Sequence, residues 1–438
     1  MKMPWQSSRS RASCDAYYSS EFFFVSGLIL LAFIETQMTG GDLGAVPGSL
    51  LLQSPAYVHV ISGAPDSVCD NCLDSPNIWD NIAPVKLYRC GGCKQSFYCN
   101  VTCQKAAWTR HKLECKYLKR IAPRKPPAIV KLILRACLRN KLEPNYSETL
   151  PDGRKRSFSD LESHKDDISD SRQRSEAFAA YLQVIKACVG DMFAVSDIFE
   201  TFCRIVINST EITDAMGAVI GTGLYLGLSA VDHSCVPNVN VVFNKNKVEL
   251  RALTDIPAPV WPFVRVSYLN IVLPTTKRKQ RLKDDYYFTC DCPLCSKTET
   301  DNFCRESNET LSEIFNKDLD DIELVKNYGK VKNEFHVCDY RMVDFGEKVI
   351  EACLKIGDYE MFLRVGQHML QAYEHYYSPN SLSFGLHLSK LAKVSIYLNK
   401  TDEALQYWKQ SLRIMKLSHG ENSLMVSYLY SLRDTISL

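Results

Sequence analysis

The stretch from Val68 to Cys115 constrains this chain more than any other, because it sets four pairs of soft metal ligands in order: Cys69/Cys72, Cys90/Cys93, Cys99/Cys103 and His111/Cys115. Two residues separate the members of the first two pairs and three separate those of the last two. Such gaps let both side chains of a pair converge on one tetrahedral ion at about 2.0–2.3 Å. Four pairs make two zinc sites. A segment this short cannot bury a core, so metal binding is expected to provide its folding free energy, about 10–16 kcal/mol per structural zinc in peptide systems. Disulfides are the competing use of clustered cysteines, and they belong to oxidising compartments.

The whole chain, at 438 residues and 46% hydrophobic, is long enough for two or three domains with a sizeable core. Its net charge of +2 comes from 52 basic and 50 acidic side chains, so any attraction to nucleic acid or membrane must be local. Of its 18 cysteines, eleven fall at metal-type positions and seven stand singly: Cys14, Cys137, Cys188, Cys203, Cys304, Cys338 and Cys353. Single cysteines of this kind read as small buried apolar residues in a reducing compartment. The apolar run Phe22–Ile34, behind Arg9 and Arg11, is too short to span a bilayer. A secretory leader would conflict with a zinc module that needs reduced thiols. Residues 1–41 are therefore read as a leader of uncertain status, and the chain as cytoplasmic and nuclear with no membrane partner.

Gly40 to Ser62 reads as a glycine-rich turn followed by short strands that stop at the zinc module. Their partners must arrive from later in the chain, which makes the module an insert. Lys116, Lys119, Arg120, Arg124 and Lys125 then form a basic cluster without interleaved aromatic residues. That pattern favours a solvated helix end over a nucleic-acid contact. Ala128 to Ile207 is expected to be mostly helical, with a polar linker over Glu148–Ser175. VNVVFNKNKVELRALTDI predicts a hairpin about Asn-Lys-Asn, and FVRVSYLN continues the alternation to Tyr268. The basic run Lys277–Lys283 is expected on the solvated face of a helix. Cys290, Cys292 and Cys295 form a partial metal site for which Cys235, in DHSCVPN, is the nearest fourth ligand. Beyond Asp301, helical pairs break at Gly357–Asp358 and at Asn399–Thr401, with Ala392 and Ala404 where helices approach; these resemble degenerate tetratricopeptide hairpins.

The CxxC, CxxC, YCxxxCQxxxWxxHxxxC series, with Tyr98, Gln104 and Trp108 in place, resembles a MYND zinc finger. DHSCVPN, SYLN and FTCDCPLC, in that order, resemble the core and closing motifs of a SET domain. Together they resemble the SET and MYND family of protein-lysine methyltransferases. The resemblance implies an α+β fold: a β-rich SET domain interrupted by a MYND finger and a helical insert, then a post-SET zinc site and an all-helical tetratricopeptide-like domain. On this chain the parts would be 42–68 and 221–275 for the split SET core, 69–115 for the finger, 116–220 for linker and insert, 276–300 for the post-SET region and 301–438 for the helical domain. Three structural zincs are implied, held by Cys69, Cys72, Cys99 and Cys103; by Cys90, Cys93, His111 and Cys115; and by Cys235, Cys290, Cys292 and Cys295.

The implied reaction is methyl transfer from S-adenosylmethionine to a lysine amine of a histone or other protein. Tyr268 matches the catalytic tyrosine. Asp232, His233, Phe288, Glu162 and His164 match cofactor contacts, and Tyr286 and Thr210 line the lysine channel. The finger and the helical domain would recruit protein partners. The sequence departs from the family at Asp232, where asparagine is usual, at Thr210, where phenylalanine is common, and at Pro257–Phe263, which replaces a Gly-Glu-Glu turn. Gly40–Leu43 stands in for the glycine-rich cofactor loop. These departures set a second reading beside the enzyme: a SET and MYND scaffold of weak activity that recruits partners in transcriptional regulation.

Overall fold

The computed structural model describes residues 44–62, 68–74, 86–297, 303, 314–315 and 318–436. The leader, its apolar run, Gly40–Leu43, Cys14 and Cys304 lie outside the described residues. The strands ahead of the finger do find their partners far along the chain. Strand β1 (Leu50–Pro55) runs antiparallel to β10 (Lys247–Ala252), which closes the predicted hairpin with β9 (Val239–Asn244). Lys245 takes the left-handed conformation, φ 57°, at the turn, as a two-residue hairpin loop requires. Strand β2 (Val58–Ile61) pairs with β8 (Val219–Leu224), and β8 with β7 (Ser209–Thr213).

Between these strands, β3 (Tyr88–Arg89), β4 (Phe97–Tyr98) and helix α1 (Val101–Ile121) build the finger. Asn100 caps α1 by accepting from the Cys103 amide at 2.8 Å. The helical insert holds α2 (Ala128–Leu142), α3 (Lys165–Asp170), α4 (Arg172–Val189) and α5 (Val195–Asn208). It is not wholly helical, because β5 (Ser147–Thr149) and β6 (Lys155–Ser157) form a small hairpin inside the expected linker. The Pro-Asp-Gly turn at 151–153, with Gly153 at φ 84°, supplies the chemistry for it.

Helix α2 explains how β2 can stand at a sheet edge. Its Arg135 donates to the His59 carbonyl, and its Arg139 donates to those of Ala56 and Tyr57. Residues four apart share a helix face, so one row of guanidiniums covers the carbonyls that an edge strand otherwise leaves open. The basic cluster after the finger is also partly spent on packing: Arg120 donates to Ala187 O at 2.7 Å and to Cys188 O, at the end of α4.

FVRVSYLN does not form the expected strand. Its ladder is a single parallel bridge between His233 and Val266. Of the other backbone groups, Arg265 O accepts from Asn238 N at 3.1 Å, while side chains serve several more: Asn238 accepts from Arg265 N at 2.7 Å and donates to Phe263 O at 2.7 Å, and His233 accepts from Tyr268 N at 3.0 Å. Alternation alone cannot distinguish a strand from a segment bonded in this way.

After α6 (Thr275–Tyr286), the described remainder is helical: α7 (Asp321–Glu334), α8 (Tyr340–Ile356), α9 (Tyr359–Tyr376), α10 (Leu382–Tyr397), α11 (Thr401–His419) and α12 (Leu424–Asp434). Both predicted breaks fall between helices, and Gly357 ends α8 at φ 79°. At Gly366 a Cβ would sit 2.5 Å from Leu391 Cδ2, so a larger residue there would force the Leu391 side chain between α9 and α10 to move.

The helical domain meets the rest of the described chain at several places, Asn240, Met216 and Lys277 among them. Asn240 donates to Asn380 O at 3.1 Å and accepts from Leu382 N at 2.9 Å, while Asn380 donates to Leu253 O at 3.0 Å. Met216, in the β7–β8 turn, packs against the helical core. Lys277 lies 4.3 Å from the Tyr340 ring centre, beside Val272, which belongs to the same core.

Candidate metal centres and active site

The structure gathers the metal-type residues into three groups: Cys69, Cys72, Cys99 and Cys103; Cys90, Cys93, His111 and Cys115; and Cys235, Cys290, Cys292 and Cys295. Within each, the ligand atoms all lie within 4.8 Å of one another. With Zn–S near 2.3 Å, the edge of a tetrahedron is about 3.8 Å. Cys72 and Cys99 Sγ are 3.8 Å apart, as are Cys90 and Cys115 Sγ, and Cys235 and Cys295 Sγ are 3.5 Å apart. All three donor sets therefore fit zinc, and the finger's two sites interleave.

The finger's second site is oriented from outside. His111 turns Nε2 toward Cys90 and Cys93 Sγ, at 3.4 and 3.6 Å, and Nδ1 toward Glu114 at 3.3 Å. A donor–carboxylate contact of this kind fixes the tautomer of a metal-binding histidine. Glu114 is itself held by Arg135, which also reaches Asp70 at 2.8 Å. Burial alone would raise both carboxyl groups, but the charges of Arg135 and Lys131 outweigh it and hold each far below the usual range. Sequence reasoning missed this network. Its traces were Glu114 three residues after His111, and Lys131, Arg135 and Arg139 spaced by four.

The third site draws in an unexpected residue. Arg278, expected on a solvated face, is buried and lies 3.8 Å from Cys295 Sγ, while also donating to Leu273 O and, at 2.9 Å, to Thr275 Oγ1. Four thiolates around a divalent ion leave net negative charge, and a guanidinium beside them offsets it. The other residues of the basic run, Lys277, Lys279, Arg281 and Lys283, are exposed or partly so, as a solvated face requires.

Against this third site stands an aromatic group drawn from three segments. His233 lies 3.3 Å from Cys235 Sγ through Nε2. Its ring meets those of Tyr268 and Phe288 at 5.2 and 5.9 Å, and Tyr268 meets Tyr286 at 4.9 Å. The Tyr268 hydroxyl donates to Val231 O at 2.6 Å. Burial, followed by the neighbouring Asp232 carboxylate, pushes its pKa well above the usual phenol value. Burial and then the Arg278 charge pull His233 down to about 4, so it is neutral at pH 7. Asp232 itself is exposed.

The other expected site residues stand apart. Thr210 lies on β7 opposite Gly223. Glu162 is exposed, and its carbonyl accepts from Asn208 at 2.8 Å. His164 sits at φ 45° between Asp167, 3.1 Å away, and the Tyr287 ring, 5.0 Å away. A further residue that the sequence did not single out is Arg156, on β6, whose guanidinium donates to Ser229 O at 3.0 Å. Among the described residues no helix is long and apolar enough to cross a membrane.

An interrupted β core carrying a two-zinc insert, a third four-cysteine site and a helical tail defines a zinc-stabilised α+β protein with a half-buried aromatic cluster beside its third metal site. The family model for the MYND finger matches residues 69–115. Histone-lysine N-methyltransferase SMYD3 of Homo sapiens is 29% identical over 427 residues, 91% of this chain and 96% of that protein. N-lysine methyltransferase SMYD2-A of Danio rerio is 26% identical over 404 residues, 86% of this chain and 90% of that protein. The finger match and these two relatives support the SET and MYND domain methyltransferase family.

Proposed function

We propose that this chain is an S-adenosylmethionine-dependent protein-lysine N-methyltransferase with three structural zincs, acting in the cytoplasm and nucleus on histone or other protein lysines. The observation that carries the reading is the convergence of Asp232–His233, Tyr268, Tyr286 and Phe288 on one cleft beside the third zinc site. The donor's groups fit that cleft: Phe288 offers a ring face to adenine, and exposed Asp232 an acceptor for the ammonium group. When bound, the donor supplies an electrophilic sulfonium methyl.

Tyr268 is suited to position the reacting groups rather than to remove a proton. Its own proton is held by the Val231 carbonyl and by a raised pKa, so the phenolic oxygen presents lone pairs to an incoming amine. Tyr286 packs against it as a wall, and together the rings exclude water and align the attack. Glu162, His164 and Thr210 would border the donor and the channel entrance. Partner proteins would meet the finger, where Val101 is 64% and Trp108 47% exposed, and the helical domain.

Calorimetric titration of the zinc-loaded protein with the methyl donor tests the reading. Binding is expected, and Tyr268→Phe should retain it while depressing methylation of a lysine peptide. An absence of binding at millimolar donor would leave the recruiting scaffold as the function.

A further inference from the structure

We propose that Arg156 anchors the carboxylate of the methyl donor and, with Asp232, forms a receptor of opposite charges for the donor's amino-acid head. The inference rests on the methyltransferase reading and adds a residue to it. Arg156 reaches into the cleft from β6. Its Nη2 donates to Ser229 O at 3.0 Å and its Nε approaches Ser229 Oγ at 3.4 Å. Two residues further along, Val231 O receives the Tyr268 hydroxyl at 2.6 Å, and Asp232 follows directly. The guanidinium, the phenol tip and the carboxylate therefore gather on one four-residue segment, Ser229–Asp232.

Arg156 is half-buried, yet it makes no ion pair among the described residues. The acidic groups whose charge it feels are Asp160 and Glu162. Asp160 is occupied by the Ser157 amide at 2.8 Å and the Ser157 hydroxyl at 2.6 Å, and Glu162 is exposed. Taking a guanidinium partly out of water without a partner costs free energy, and an arriving anion offsets it. Burial accordingly lowers its pKa from the usual value. Two bonds to Ser229 leave part of the planar fork for a carboxylate.

A free α-amino acid head carries a carboxylate and an ammonium together, and Arg156 with Asp232 offers one partner for each. A lysine within a polypeptide has no such head. The pair would therefore select the donor and leave the protein substrate untouched.

The test compares S-adenosylmethionine with its decarboxylated form, which keeps the sulfonium, adenine and ammonium groups. Wild-type protein should bind the intact donor about 10-fold or more tightly than the decarboxylated one, the range of a charge-assisted hydrogen bond. Arg156→Gln should weaken the intact donor by a similar factor and leave the decarboxylated form nearly unchanged, with Arg156→Lys between. Equal affinity of wild type for the two compounds, or equal weakening of both by Arg156→Gln, would overturn the anchor. If Arg156→Gln does not fold, wild-type discrimination and Arg156→Lys decide the matter. Failure of wild type to bind either compound removes the methyltransferase reading and the anchor with it. Binding that discriminates but ignores Arg156 removes only the anchor.

Discussion

Around the finger, four of the seven buried cluster residues are cysteines, and only Tyr98, Ala107 and Leu118 join them. The helical domain instead closes on Met369, Leu391, Ile414, Met415 and Leu429, all essentially inaccessible to water. The two regions reach order by different forces: metal–ligand bonds with an ionic network in one, hydrophobic burial in the other. Removing either force should therefore affect one region and spare the other.

Zinc removal is the largest expected effect, about 10–16 kcal/mol per structural site. A strong chelator should collapse residues 86–121 and the loop around Cys290, while amide exchange in α8–α11 stays slow. Metal analysis before chelation should return close to three zincs per chain, and two would remove the Cys235 site. Uniform loss of protection along the whole chain would show that the helical domain depends on the metals too.

Next in size is Arg135→Met. It leaves Asp70 and Glu114 with Lys131 as their remaining shared cation, and breaking a buried pair costs up to about 3–5 kcal/mol. Chelator-driven zinc release from the His111 site should accelerate, with the helical domain's melting unchanged. An unchanged release rate would mean that the network does not brace the metal.

The smallest effect concerns acid. His387 is buried in the helical domain, stacked on Tyr373 at 4.3 Å and bonded to Gly366 O at 2.8 Å. Burial, in spite of that bond, lowers its pKa to about 4. Below pH 6.5 the unfolded chain binds a proton that the folded chain refuses, so stability falls between pH 6.5 and 4 and is level above it. The loss is about 2 kcal/mol by pH 5. His387→Gln, which cannot titrate, should narrow its gap to wild type by that amount between pH 7 and pH 5; a constant gap would refute the assignment.

The finger was the most legible part of the sequence because ligand spacing is a local code, needing no knowledge of the fold. The helical breaks at Gly357 and Asn399 were legible for a similar reason, since left-handed residues such as these end helices locally. FVRVSYLN was misread because it has only a short backbone bridge to the Asp232–Ser234 segment, and the side chains of Asn238 and His233 take the place of a longer ladder. Arg278 and Arg156 carried no signal at all. A guanidinium in a basic run or a hairpin looks like any surface arginine until the fold sets it beside thiolates or beside an aromatic cleft. Tyr268, Asp232 and Phe288 are singled out only by motif resemblance, as composition and periodicity give no reason to choose them over the chain's other aromatic and acidic residues.

The separated seats of the helical domain, Asn240, Met216 and Lys277 among them, have a mechanical consequence. A body fastened at one place can swing and at two can rock about a line, but three separated fastenings hold it still. The face it turns to the rest of the chain is therefore fixed in place. A surface fixed in this way does not have to be ordered when something binds to it, so that cost of association is avoided. Loosening the Asn240–Asn380 clasp would return some of that motion to the helical domain.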